Sequence, residues 1–369
     1  MIESSAKSSC VAKFADFGRK RQTRNDGVSE KDTARSDKPF AAEICKLQQK
    51  GGFAELSMSI IIPTYNRAPI LKKTLDSILA QTCKNCEIII VDDGSSDDTE
   101  KTVQAIKTKS KIPLKYFKQK KNAGQGSARN RGIKEALYEI CLLIGDDIII
   151  DKKCIEEHLK THKVHPEKNT ATLGKIEWHP DLKLTPFMRF MTDGSCILGK
   201  YGGHQFAFEK LEGKEMADYN FFYTSNISLK TEILKKYPFD TLFQDYGWED
   251  IDLGFRLEKE ENLKIFYNKN AIGYHYHPLS EKSLRKRMHQ IAKSAFIINK
   301  KYPELKKIPS KKKKLAFYLL SNPLSLLLFN VAKKIWPSQK MHNYYYYALS
   351  KKYYLEGLNS KTISKQPKI

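Results

Sequence analysis

The sequence lacks the features of a secreted, disulfide-bonded protein. Its seven cysteines are an odd number spread over 369 residues, and no segment resembling a secretory signal precedes them. This distribution is typical of a reducing compartment. We therefore expect the chain to be cytoplasmic, either free or bound peripherally to the cytoplasmic face of a membrane.

A zinc site is also not indicated. Cys83 and Cys86 have the spacing of a zinc or redox pair, but no second pair and no suitably spaced histidines accompany them. We interpret these two cysteines as loop residues without a chemical role.

Acidic residues are fewer than basic ones. The chain has 42 Asp and Glu residues against 65 Lys and Arg, which gives a formal net charge of +23. This balance favours anionic partners such as phosphates, nucleic acid or an anionic membrane surface. The hydrophobic content of 40% is enough for a core and excludes a wholly disordered protein.

The chain divides into three predicted regions. Residues 1–57 show no sustained hydrophobic period and are predicted to be a disordered basic tail. Met58 directly precedes the first strand-like run, so we hypothesise that the natural start lies there and that the tail is dispensable. Residues 58–280 are predicted to form the main globular domain, and residues 281–369 a helical extension.

Residues 58–150 alternate apolar runs with helical patterns. The runs MSIIIPTYN, CEIIIVDDGSSDDT and CLLIGDDIII read as buried strands, and residues 70–79 have the apolar spacing of one helix face. Strands without polar alternation, separated by helices, predict an α/β fold with a mainly parallel sheet flanked by helices. Ligands of such sheets bind beyond the carboxyl ends of the strands, where residues 63–67, 92–96 and 146–147 stand.

Five motifs in order give the chain a family resemblance. SIIIPTYNR, EIIIVDDGSSDDT, NAGQGSARNRG, LLIGDDIII and GWEDIDLGFRL resemble the inverting glycosyltransferases of family 2, over about residues 58–280. The resemblance implies the Rossmann-like GT-A fold. It also implies inverting transfer of a sugar from a nucleoside-diphosphate-sugar, expected to be a UDP-sugar, to a hydroxyl of a glycan or lipid-linked acceptor in surface polysaccharide or glycoconjugate synthesis.

The resemblance assigns a donor site by position. Either Arg129 or Arg131 is expected to contact the donor phosphates. Asp92 is interpreted equally well as a helix cap and as a direct donor contact. In the family the first motif lines the nucleoside pocket, and the second acid of the VDDGS pair hydrogen-bonds the base. The donor-binding residues implied in this way are Pro63, Tyr65, Arg67, Asp93, Gly124, Arg129 and Asp146.

The resemblance also implies a divalent metal, Mn²⁺ or Mg²⁺, which stabilises the charge of the departing diphosphate. Asp147 matches the usual metal-binding acid, whereas Gly145 replaces the acid with which the family motif often begins. This departure puts the ribose contact of that first position in doubt. His275 and His277 fall on one face of an extended segment. One of them is expected to be a further metal ligand, and the sequence does not choose between them.

The GWED motif is expected to carry the catalytic base. Inverting transfer needs a carboxylate opposite the leaving diphosphate to accept the proton of the attacking hydroxyl. The resemblance assigns this role to Asp250, with Glu249 as a neighbour that binds the acceptor. The structural alternative is that both acids simply favour a helix N-terminus through its dipole.

The helical extension has a membrane-like segment. KKKKLAFYLLSNPLSLLLFNVAKK brackets about 18 uncharged residues with lysines, and Pro323 interrupts it. That length makes a membrane span marginal, and basic flanks on both sides favour an interfacial helix that contacts anionic lipid. An ordinary helix packed on the main domain is the open alternative.

Two other functions are alternatives to glycosyl transfer. A sugar nucleotidyltransferase would carry a glycine-rich, basic triphosphate loop after its first strand, but PTYNRAPIL has no glycine. The second alternative hypothesis is a non-catalytic basic protein that binds membrane or nucleic acid. Carboxylates lining the cleft would repel phosphates in the absence of a metal, so no nucleic-acid partner is expected.

Overall fold

The computed structural model describes residues 56–193, 195–196, 199–200, 205–244 and 246–360. The predicted tail over residues 1–57 lies outside these residues, apart from its last two positions. The strands are β1 (Met58–Thr64), β2 (Cys86–Asp92), β3 (Leu114–Lys118), β4 (Ile140–Ile144), β5 (Ile148–Ile150), β6 (Thr170–Trp178), β7 (Ser195–Cys196), β8 (Gly199–Lys200), β9 (Met216–Ala217), β10 (Asn226–Lys230) and β11 (Lys264–His275).

The helices follow the strands in sequence and dominate the C-terminal region. They are α1 (Ala68–Leu79), α2 (Thr99–Lys107), α3 (Gln125–Lys134), α4 (Cys154–Val164), α5 (Pro186–Asp193), α6 (Thr231–Lys236), α7 (Glu249–Glu261), α8 (Leu284–Lys301), α9 (Lys311–Ser321), α10 (Pro323–Ile335) and α11 (Gln339–Leu358). Short 3-10 helices occupy Phe208–Leu211, Tyr219–Phe221, Glu281–Ser283 and Pro303–Leu305.

In the part of the chain that the structure describes, nine strands form one sheet in the order β3-β2-β1-β4-β10-β6-β11-β5, with β9 paired to β11. Strands β1 to β4 run parallel to one another, as do β6 and β11. Because β10 is antiparallel to both β4 and β6, these two parallel groups share one direction. The predicted α/β fold with a mainly parallel sheet is confirmed.

Apolar side chains cover both faces of this sheet. Strand β1 is buried along its whole length, as expected for a central parallel strand. Ile60 and Ile62 join a core with α1, α2 and α4, whereas Ile61 joins a second core with α3, α6 and α7 on the opposite face. Helix α3 approaches the sheet closely at Gly132, where a Cβ atom would lie 2.6 Å from Cγ2 of Ile61.

The shared strand direction places the carboxyl ends of β1, β2, β4 and β11 at one edge of the sheet. A third core, formed by α5, α8 and α11, brings α8 to the same edge and includes Phe187, Phe190, Leu284, Met288 and Tyr346. The predicted domain boundary at residue 280 falls between β11 and α8 and stays a prediction.

The C-terminal helices include one bent apolar pair. Among the described helices, none by itself has the length and hydropathy needed to cross a membrane. Helices α9 and α10 meet that requirement only when taken together, and they are bent by 52° at their junction.

Candidate active site

The carboxyl ends of the parallel strands open into a cavity of about 850 Å³. It collects residues from β1, the loops after β2, β4 and β11, helix α3, and the start of α7. Every site residue predicted from the sequence lines this cavity, namely Pro63, Tyr65, Arg67, Asp93, Gly124, Arg129, Asp146, Asp147, Glu249, Asp250, His275 and His277. The roles assigned to them stay predictions.

The acids after β4 are tied to β1 and its following turn. Nη1 of Arg67 donates to Oδ1 of Asp146 at 2.9 Å and to Oδ2 of Asp147 at 2.7 Å. The Thr64 hydroxyl donates to Oδ2 of Asp146 at 2.8 Å, and the Thr74 hydroxyl donates to the Asp146 carbonyl at the same distance. Asp146 is thus held on both carboxylate oxygens.

Burial and charge separate the acidities of these two neighbours. Burial, reinforced by the charge of Asp147, raises the pKa of Asp146 to about 6. Burial opposes ionisation of Asp147 as well, but His275 and Arg67 outweigh it and lower the pKa of that carboxyl. Burial lowers the pKa of His275 itself to about 4, so Arg67 is the permanent cation of the group.

The donor set beside Asp147 fits part of a divalent-metal site. Nε2 of His275 lies 3.6 Å from Oδ2 of Asp147, and the side-chain amide of Gln205 lies 3.1 Å from the same ring nitrogen. A neutral imidazole and a carboxylate are both metal ligands. Within the described residues, no three His, Cys, Asp or Glu side chains are grouped to hold an ion. A metal here would therefore need oxygens from its substrate or from water.

His275 and His277 differ in their surroundings. His275 is 5% exposed and faces Asp147, whereas His277 is half-buried at a ring distance of 6.2 Å from His275. Tyr276 between them points elsewhere, under the ammonium group of Lys73 at 3.9 Å from its ring centroid. Of the two predicted alternatives, His275 is the one placed beside the acid.

The two acids after β2 have separate surroundings. The carboxylate of Asp92 accepts from the backbone N–H of Ser95 at 2.7 Å and from the Tyr116 hydroxyl at 2.6 Å, and Asp92 does not line the cavity. This arrangement favours the structural interpretation of Asp92. Asp93 accepts from the backbone N–H groups of Ala123 and Gly124, each at 2.8 Å, and so positions the loop before α3 at the cavity wall.

Arg129 is a buried cation in the cavity wall. Its Nη1 lies 3.5 Å from Oε1 of Glu249, and its Nη2 donates to Gln125 at 2.9 Å. Nε and Nη1 of Arg129 and Oε2 of Glu249 have no hydrogen-bond partner, although all three atoms are buried. The two Arg129 nitrogens can donate to water or to an anionic ligand, whereas the Glu249 oxygen can only accept from a donor such as water or a hydroxyl. Arg131 is exposed and pairs with Glu135 at 3.1 Å.

A strained turn sets the start of α7. Gly247 has a φ of 101° and Trp248 a φ of 73°, both in the left-handed region. The indole N–H of Trp248 donates to the Ile291 carbonyl of α8 at 3.1 Å, which anchors the turn. Glu249 and Asp250 follow at the first helical positions and face the cavity. Burial, reinforced by the charge of Glu249, raises the pKa of Asp250 to about 7.

Helix α8 supplies a cavity wall that was not predicted from the sequence. Lys286, Arg287, Gln290 and Ile291 line the cavity from this helix. The guanidinium of Arg287 lies 4.2 Å from the ring centroid of Tyr246 and donates to its hydroxyl. The sequence predicts a helical extension over residues 281–369, but no local pattern indicates that the basic side of α8 faces the cavity.

Asn226, which interrupts an apolar run in the sequence, has a structural role. Its Oδ1 pairs with Nε2 of His158 at 2.9 Å, and its amide donates to the Ala271 carbonyl at 2.9 Å. The Ser228 hydroxyl lies 2.8 Å from the other ring nitrogen of His158 and 2.9 Å from His162. These contacts form a buried polar seam between α4 and the sheet.

Comparisons with known proteins identify the family. Residues 59–173 match the model of glycosyl transferase family 2. The amylovoran biosynthesis glycosyltransferase of Erwinia amylovora is 30% identical over 231 residues, which cover 60% of this chain and 70% of that protein. The chain belongs to glycosyltransferase family 2.

Two other relatives are much longer than this chain. An uncharacterized glycosyltransferase of Rickettsia conorii is 38% identical over 139 residues, or 38% of this chain and 22% of that protein. The hyaluronan synthase of Pasteurella multocida is 27% identical over 225 residues, or 55% of this chain and 23% of that protein. The chain thus spans about a fifth of the length of each of these two relatives.

The fold comparison agrees with the family. A mannosyltransferase of Pyrobaculum calidifontis, solved with GDP-Man and Mn²⁺, superposes with a TM-score of 0.57 at 15% identity, covering 89% of this chain and 94% of that chain. This likeness concerns the fold alone and confirms the predicted GT-A architecture. The family 2 match ends at residue 173, so Glu249, Asp250 and the two histidines lie beyond it and are placed in the site by geometry.

Proposed function

We propose that this family 2 protein transfers a sugar from a nucleoside-diphosphate-sugar, expected to be a UDP-sugar, to a hydroxyl of a glycan or lipid-linked acceptor, with inversion. The observation that carries the proposal is the shared cavity of about 850 Å³, which joins the acids after β4 to Asp250 at the start of α7. A cavity of this volume is typical of small-molecule sites.

Two groups of residues have separate roles in the proposed reaction, donor binding and proton acceptance. Residues after β1, β2 and β4 would bind the donor, with Arg67 and Arg129 providing fixed positive charge near its diphosphate. The acceptor oxygen attacks the anomeric carbon as the bond from that carbon to the diphosphate oxygen breaks. Asp250 accepts the proton of the acceptor hydroxyl, and its pKa of about 7 suits a base working near neutral pH.

A divalent cation would be held by Asp147 and His275, completed by donor oxygens and water, as is usual for Mg²⁺ and Mn²⁺. When bound, it supplies Lewis-acid stabilisation of the charge that develops on the diphosphate. Arg67 contacts Oδ2 of Asp147 at 2.7 Å, the carboxylate oxygen that also lies 3.6 Å from Nε2 of His275. It contributes positive charge at that position.

The polysaccharide class of the acceptor is supported by the names of relatives. These include the amylovoran biosynthesis glycosyltransferase of Erwinia amylovora and the chondroitin synthase of Escherichia coli, which is 28% identical over 244 residues. We infer an acceptor in the same broad class, a growing glycan or its lipid-linked precursor.

A donor panel tests the proposal. The purified full chain is incubated with Mn²⁺ and a set of UDP- and GDP-sugars, with and without glycan acceptors, and release of nucleoside diphosphate is followed. Asp147→Asn should lose the metal-dependent activity. Asp76→Asn, which changes an exposed carboxylate on α1, is the matched control and should keep it. Turnover of a nucleoside triphosphate and a sugar phosphate to pyrophosphate, without transfer from any donor, would instead establish a nucleotidyltransferase.

A further inference from the structure

Helices α9 and α10 expose a concentrated apolar surface. Of the fourteen large apolar side chains that are exposed in the described residues, nine lie between residues 315 and 336. On α9 they are Leu315, Tyr318 and Leu319, and on α10 the most exposed are Leu324 and Leu328, at 64% and 61%. We call the exposed side of these two helices the apolar face.

The apolar face has helical periodicity. Residues 324, 327, 328, 331 and 335 follow the spacing of one helix stripe, and all are exposed. The opposite sides of the helices are packed, since Leu326 of α10 joins the core of α5, α8 and α11, and Phe317 of α9 packs with Leu355 and Leu358 of α11. The fold therefore leaves one side of each helix partly buried against its neighbours and a second, apolar side uncovered.

Basic residues border the apolar face. Residues 311–340 contain seven lysines and no acidic residue. Residues 311–314 begin α9, and Lys334 is exposed near the end of α10. Lys333 instead lies 3.5 Å from the ring centroid of Tyr345 and faces the protein. Trp336, 64% exposed, closes the segment with a residue type that favours membrane interfaces.

The geometry disfavours a transmembrane position. At 1.5 Å per residue, the 11 residues of α9 and the 13 of α10 span about 16 and 20 Å, against a hydrocarbon thickness of about 30 Å. The pair is bent by 52°, and its inner side packs on α11. An apolar stripe bordered by lysines on a packed helix pair is instead the arrangement of an interfacial element.

The positive charge around the apolar face indicates which kind of partner it binds. A second copy of this chain would bring its own lysines at 311–314, 334 and 340 against those of the first, which is electrostatically unfavourable. An anionic bilayer offers apolar chains for the leucines and negative headgroups for the lysines at once. We propose that the apolar face of α9 and α10 docks on an anionic lipid surface and holds the enzyme there, with the helix axes lying along the interface.

Vesicle binding tests this proposal independently of catalysis. The full chain is sedimented with phosphatidylcholine vesicles and with vesicles containing about 30% phosphatidylglycerol, at low and high salt. It should bind the anionic vesicles, and salt should weaken the binding. The double variant Leu324→Glu, Leu328→Glu should lower the partition coefficient more than tenfold. Replacing Lys312 or Lys334 by Gln should lower it about fivefold for each residue.

Leu137→Glu is the matched control, since Leu137 is 74% exposed outside the apolar face and its substitution should leave binding unchanged. Circular dichroism and donor hydrolysis show that each variant is folded. Equal binding by the double variant and the parent would overturn the proposal. The proposal would also be overturned if the parent did not bind anionic vesicles and were oligomeric, while the double variant were monomeric. The apolar face would then join two copies of the chain.

Discussion

Nη1 of Arg67 lies 2.7 Å from Oδ2 of Asp147, so an arginine contacts the carboxylate that is expected to bind the metal. The same nitrogen lies 2.9 Å from Asp146, which makes one guanidinium the counterion of two adjacent buried acids. Neighbouring carboxylates disfavour each other's ionisation unless a cation is present. Arg67 therefore keeps the acidic pair charged before any ligand arrives.

Arg67→Gln is predicted to make the protein less stable and more responsive to divalent cations. Without the guanidinium, the two acids lose their fixed counterion, and a metal becomes the best replacement. Thermal unfolding should show a Tm several degrees lower than that of the parent without metal, and a larger rise in Tm on addition of Mn²⁺. An unchanged Mn²⁺ response would show that Arg67 and the cation do not share the carboxylates.

Asp250→Asn is predicted to abolish turnover while leaving the donor bound. Loss of a general base typically costs roughly 10²- to 10⁴-fold in rate. The parent's kcat/KM should fall as pH decreases below about 7, because protonation of Asp250 removes the base. Rates measured from about pH 5 to about pH 9, with donor affinity from calorimetry, check both statements. A fully active variant would exclude Asp250 as the base.

The same substitution has a predicted effect on stability. The folded pKa of Asp250 lies above its unfolded value, so the folded protein binds this proton more tightly. The stability that this carboxyl contributes is present at low pH and is lost as pH rises through about 7. Asp250→Asn should therefore raise the Tm above pH 7 and change it little near pH 4. A Tm that is lower than the parent's at high pH would contradict this linkage.

Arg129→Met is predicted to shift the acidic limb of the pH profile to higher pH. Arg129 lowers the pKa of Asp250 against the effects of burial and of Glu249, so its removal leaves Asp250 harder to ionise. The measurement is the pH dependence of kcat/KM. Arg131→Met is the matched control, because Arg131 is exposed, pairs with Glu135 and should leave the profile unchanged. An equal shift in both variants would indicate a general charge effect.

The strands that carry the site were predictable because their local pattern is strong. β1, β2 and β4 are built around apolar runs and are fully buried strands, and polar residues stand at or directly after the end of each at the ligand edge. The helix predicted over residues 70–79 is observed as α1 with a start two residues earlier, where Pro69 occupies a first-turn position. Local patterns of this kind depend on near neighbours only.

Long-range placement was not predictable. Nothing in NISLK indicates that β10 returns antiparallel between β4 and β6, since that pairing joins residues more than 50 positions apart. The side of α8 that faces the cavity could not be predicted either, because basic residues are equally compatible with solvent and with a phosphate site. The buried setting of Asp92 depends on Tyr116, a partner from another strand.

Gly247→Ala is predicted to reduce activity by misplacing the start of α7. Its φ of 101° is costly for any residue with a side chain, by about 1–2 kcal/mol, and its added Cβ would lie 3.3 Å from Cγ1 of Ile291. The turn would relax and shift Asp250, and a displacement of about 1 Å in an active site can cost roughly 100-fold in rate. We expect kcat to fall more than tenfold, with a Tm decrease of a few degrees.

Gly213→Ala separates this effect from loss of stability. Gly213 has a φ of 73°, and its added Cβ would meet no atom within 4 Å. Both substitutions add a side chain to a residue of positive φ, but only Gly247 adjoins the helix that carries Asp250. Gly213→Ala should therefore lower the Tm by up to a few degrees and keep its kcat. If the two variants lose activity in proportion to their loss of Tm, the turn at Gly247 serves folding and does not set the position of Asp250.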